Sequence, residues 1–233
     1  MPCTLPASLA DAAVCRGSFH AVLGGEAGEA VFADFSAALQ KAQAEGRILT
    51  ASLFRYENHL FFYAEGLNRP FTPQGLCPAL DAALLLWPPA LGEAAPRPWA
   101  AMQPYFYHDV PTTAADWQQG RCPQRRRGRI ALLPPDSWCS YMEHHLRIVT
   151  EGLVEGDRWH LICVQEGVLF SYLEEPRTNV NIKHRPGAHS PELDAWIAAD
   201  PESHFARFTP EQKAHPDSGH NFVFLPRIAG TED

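Results

Sequence analysis

The sequence predicts an α+β protein built twice from one βαββαβ plan. Three observations carry that expectation. Strand-like and helix-like hydrophobic periods follow the same order in both halves. Short anchors align between them: Ala44-Glu45-Gly46 with Thr150-Glu151-Gly152, Leu60-Phe61-Phe62-Tyr63 with Leu169-Phe170-Ser171-Tyr172, and Pro78-Ala79-Leu80-Asp81-Ala82 with Pro191-Glu192-Leu193-Asp194-Ala195. A polar stretch containing Pro111, Gly120 and Pro123 separates the halves.

In the first half, FHAVLG from Phe19 to Gly24 reads as a strand, and Phe32 to Ala44 keeps a helical period. TASLFRY and LFFYAE form a hairpin around Glu57-Asn58-His59. Pro78 opens a second helix, and AAMQPYFYH near Ala101 to His108 supplies a last strand. In the second half, Arg129 to Pro134 is the first strand, and the basic run from Gln124 to Arg129 ends a linker. Asp136 or Ser137 caps a helix from Trp138 to about Thr150, with Gly152 and Gly156 at its end and the following turn. Trp159 to Val164 and Val168 to Leu173 pair around Gln165-Glu166-Gly167. Ser190 caps a helix with Pro191 at its first position, and Asn221 to Pro226 closes the half.

The repeats are expected at residues 1–108 and 129–233, joined by residues 109–128. Each is ferredoxin-like, an antiparallel sheet with helices on one face. Burying the other face of each sheet predicts an intrachain pseudo-dimeric α+β barrel.

A chain of 233 residues with 45% apolar content builds a sizeable core, and a formal charge of −8 argues against nucleic-acid partners. No apolar run approaches the about 18 residues of a membrane span. The six cysteines show no metal-binding spacing, and the N-terminus lacks a signal-peptide pattern, which predicts a cytoplasmic protein. His184 and His189 flank a Pro-Gly turn, and His215 and His220 follow later; none has the spacing of a metal site.

Registering the halves by their Glu-Gly pairs gives an offset of 106 residues in the first helix. Tyr141 then stands where the first half has Phe35, and His145 where it has Leu39. Residues four apart share a helix face, so Tyr141 and His145 are candidates for one site. His144 lies about 100° away and is assigned to solvent or a local hydrogen bond.

On these residues the second half resembles the L-rhamnose mutarotase family. Tyr141-x-x-x-His145 is followed by Ile148 and Glu151, and Trp196 precedes Arg207 by eleven residues. The resemblance implies interconversion of sugar anomers with no metal or organic cofactor. It implies His145 as general acid or base and Tyr141 orienting a hydroxyl or relaying a proton. Trp196 and Phe208 would stack on the sugar and Arg207 would bind its hydroxyls. The chain departs from the family where two tryptophans are replaced by Phe208 and Thr209, and where two repeats are fused. A non-catalytic ligand-binding or assembly module is the alternative expectation. A cofactor-independent monooxygenase or heme-related protein is a third, since one fold hosts many chemistries.

Overall fold

The computed structural model describes residues 6–177, 183–212 and 221–231. Cys3, one of the six cysteines, and His215 and His220 lie outside them. In chain order the first repeat runs β1 (Val14–Val22), α1 (Glu29–Ala44), β2 (Ile48–Tyr56), β3 (His59–Leu67), α2 (Pro78–Ala82) and β4 (Ala100–Ala101). Next come β5 (Gln103–Tyr107) and α3 (Ala114–Gln118). The second repeat runs β6 (Arg125–Leu132), α4 (Pro135–Glu151), β7 (Val154–Glu155), β8 (Leu161–Gln165) and β9 (Val168–Glu175). It continues with β10 (Lys183–His184), α5 (Pro191–Ala198) and β11 (Val223–Leu225), and β12 (Arg227–Gly230) follows.

The chain is α+β and forms two compact units. The first holds the described residues up to Met102, Pro111–Pro123 and those from Pro226 on. Its sheet is antiparallel with strand order β12-β2-β3-β1-β4. The second holds Gln103–Val110 and Gln124–Leu225, with an antiparallel sheet ordered β11-β6-β9-β8-β5. The same ferredoxin-like order appears in both, each with a fifth strand on the equivalent edge.

Helical spacing explains what each first helix buries. In the first unit α1 sinks Phe32, Phe35, Leu39 and Ala42 among Leu53, Leu60, Phe62 and Trp99. In the second, α4 sinks Tyr141, His145 and Ile148, which the 106-residue offset maps onto Phe35, Leu39 and Ala42. Glycine ends α4: Gly152 takes a left-handed φ of 67° while its N–H donates to the Ile148 carbonyl. At the β8–β9 hairpin, Glu166 and Gly167 have φ of 51° and 77°, the two positive values a tight two-residue turn demands.

Three expectations are corrected. The basic run is not the end of a linker but the start of β6. Arg125 and Arg126 sit opposite Glu175 and Glu174 of β9, with Arg126–Glu174 at 3.5 Å and the Arg127 side chain reaching Glu175 at 3.0 Å. Neither Asp136 nor Ser137 caps α4; Pro134 is its N-cap and Pro135 its first residue, where a missing N–H costs nothing. AAMQPYFYH is not one strand, because Ala100–Ala101 pairs with β1 in the first sheet and Gln103–Tyr107 with β8 in the second. Residues 111–123, within the expected joint, carry α3, capped by Thr113 accepting from the Asp116 N–H.

Gly66 on β3 has no room for a side chain. A Cβ there would lie 2.2 Å from the Arg69 carbonyl oxygen, a backbone atom that cannot rotate aside. Gly66→Ala is expected to cost about 1–3 kcal/mol, the range for overpacking. Urea denaturation reads this as a lower midpoint at unchanged slope.

Candidate ligand site

The second unit contains a cavity of about 330 Å³, within the range of small-molecule pockets. Phe106 and His108, on and just beyond β5, form one wall, and Arg129 of β6 lines the cavity from the sheet. Tyr141 and His145 enter from α4, and Leu193 and Trp196 from α5. Asp157 and His160, in the loop before β8, Arg177 after β9, and Glu202, Phe205 and Phe222 complete the rim and walls.

His145 sits inside an aromatic cage. The rings of Tyr141, Phe106, Trp196 and Tyr105 have centroids 4.2, 4.7, 4.7 and 5.6 Å from its own. Its Nδ1 lies 2.9 Å from the Tyr141 carbonyl oxygen. A carbonyl only accepts, so Nδ1 carries the proton and Nε2 keeps the lone pair. Burial pushes the imidazole down to about 4, partly offset by that hydrogen bond, so it is neutral at neutral pH. Burial likewise pushes the Tyr141 phenol up to about 12. The Tyr105 and Tyr141 hydroxyls interact, although Tyr105 lacks a hydrogen bond of ordinary geometry.

Arg129 is the exceptional group. Its guanidinium stacks on Phe222 with 4.3 Å to the ring centroid, and its Nε is buried with no hydrogen-bond partner. Among the described residues no carboxylate reaches ion-pair distance from it. Burial first, and then the neighbouring Arg177, lower it to about 10; Glu202 offsets part of this from further off. Arg177 differs, because its Nε lies 3.4 Å from the buried Asp157 carboxylate. His108 is lowered to about 4 by burial and by Arg177.

The residues singled out from sequence divide between two places. Tyr141, His145 and Trp196 meet in this cavity. Arg207 is exposed and Phe208 is buried, and neither lines it. His144 is neither solvated nor hydrogen-bonded at Nδ1; it is half-buried, its ring 5.3 Å from Trp196. Arg129 and Phe106 went unnoticed in the sequence. The missed signal is that Arg129, Ala131 and Leu133 share one strand face, and the last two are core residues. Among the described residues no cluster of three His, Cys, Asp or Glu could hold a metal ion, and no helix is long and apolar enough to cross a membrane.

No family model and no curated protein matches the chain. Three solved structures do. A "putative monooxygenase" from Fusobacterium nucleatum subsp. nucleatum aligns at 10% identity and TM-score 0.41, over 94% of each chain. A protein of the same description from Lactobacillus acidophilus aligns at 7% identity and TM-score 0.38, over 94% of this chain and 96% of that one. An anthrone oxidase-like protein aligns at 7% identity and TM-score 0.37, over 94% and 92%. At these scores the likenesses carry no functional argument. None of the three is a mutarotase, and Arg207 and Phe208, which carried part of that resemblance, stand away from the cavity. The chain is not assigned to the L-rhamnose mutarotase family.

Proposed function

We propose that the second unit binds a small, flat and largely apolar organic acid. Arg129 holds it as the anion, and Nε2 of His145 takes or returns its proton. One observation carries this reading: the Arg129 guanidinium, its Nε buried without a hydrogen-bond partner and with no carboxylate at ion-pair distance among the described residues, lines an aromatic-walled cavity. An unpaired buried charge is costly, and a bound anion removes that cost. The aromatic walls favour a planar body, and the volume favours one or two rings. His145 suits the proton step because its neutral form predominates above about pH 4. The imidazolium formed on proton uptake is offset by the anion made beside it. A non-catalytic binding role is the second reading, favoured by the weak basicity that burial imposes on His145.

The test is calorimetric titration with benzoate, a phenol, an enolisable aryl ketone and a panel of reducing sugars. The acids are expected to bind and the sugars not. Arg129→Gln is expected to weaken acid binding by about 10- to 100-fold, the value of a charged hydrogen bond. Sugars binding more tightly than acids, or an indifferent Arg129→Gln, would refute the reading. Deuterium exchange at the acidic C–H of the ketone separates catalysis from binding: wild type is expected to accelerate it and His145→Ala not.

A further inference from the structure

We infer that the His108 ring is a partition between the ligand cavity and a second, charged chamber, and that it sets the length of acid the site accepts. The acid part of this inference rests on the reading above; the partition does not. His108 and Gly156 line both spaces, the first of about 330 Å³ and the second of about 380 Å³. The outer chamber is chemically unlike the inner one. Its walls include Asp109, Glu155, Arg158 and Arg185, and Arg158 Nε lies 3.0 Å from Asp109. Arg185 is exposed and has no ion pair among the described residues.

Steric fit holds the partition. A Cβ on Gly156 would lie 1.9 Å from His108 Nε2, so the ring occupies space that only glycine leaves open. Phe106 also meets it edge-on, with 4.8 Å between ring centroids. The ring makes no hydrogen bond to a described residue, so swinging it aside breaks none among them. With the ring in place the inner chamber takes a compact aromatic acid. With the ring displaced, a polar arm on that acid would reach Arg158 and Arg185.

Two measurements test this. In protein labelled with 5-fluorotryptophan, the Trp196 resonance is assigned by its loss in Trp196→Phe. Its relaxation by a neutral nitroxide in solution reports access to the inner chamber without any ligand. His108→Ala is expected to raise that relaxation severalfold, and no change overturns the partition. Should His108→Ala fold poorly, Gly156→Ala, which forces the ring out, decides the point with the same expected sign. The second measurement compares benzoate with 4-(succinylamino)benzoate. His108→Ala is expected to tighten the longer acid by about tenfold relative to benzoate. Equal changes for both overturn the length-setting role. If wild type and variant bind neither acid, the ligand reading fails, and the nitroxide result still judges the partition.

Discussion

Arg121→Leu is expected to destabilise the chain by about 3–5 kcal/mol, the cost of leaving a buried charge without its partner. Glu65 on β3 is fully buried and accepts four hydrogen bonds. Arg121 donates two, at 2.7 and 3.0 Å, Tyr63 one at 2.7 Å, and Trp117 one at 2.9 Å. Burial alone would raise this carboxyl; the Arg121 charge and these donors together hold it below the ordinary carboxylate range. Removing Arg121 keeps the burial and takes away the cation. Glu65→Leu combined with Arg121→Leu is expected to recover only part of the loss, because the buried Tyr63 and Trp117 donors then lose their hydrogen bonds to Glu65. Urea denaturation of the three variants checks this. A loss below about 1 kcal/mol for Arg121→Leu would mean the pair behaves like an exposed one.

Acid is expected to weaken the second unit through His145. Its folded pKa of about 4 lies below the ordinary 6.5, so between these values the unfolded chain binds more protons. Stability from this group is therefore fully present above about pH 6.5 and is lost as pH falls towards about 4. Between pH 7.5 and 4.5 the loss is about 2–3 kcal/mol. His108, lowered to about 4 as well, adds loss of the same sign. His145→Phe, which keeps a ring in the aromatic cage, is expected to flatten this dependence by the His145 share and leave the His108 share. Denaturation at the two pH values in wild type and variant is the measurement. An unchanged pH dependence would place His145 in contact with water.

The duplicated plan was legible because periodicity is local. The Glu45-Gly46 and Glu151-Gly152 anchors set a 106-residue offset, and that offset matches the buried face of α4 to that of α1. Ser190 as the cap of α5 was legible for the same reason, since its acceptor and the Leu193 N–H lie within one turn. The basic start of β6 was not. Four polar residues carry no strand period, and their acids, Glu174 and Glu175, lie almost fifty positions away.

The lining of the candidate cavity was half legible. Tyr141 and His145 stood out as polar residues at positions that are apolar in the first half. Arg207 and Phe208 were chosen by spacing along the chain, and spacing beyond one element does not fix direction in space. By itself, then, the sequence determined two α+β repeats and the helix face bearing Tyr141, His145 and Ile148, since both follow from periods of two and 3.6 residues. Only the tertiary structure decided that Phe106, Arg129 and His108 meet that face. A cavity is closed by strands and helices that register brings together, and register depends on partners distant in the chain.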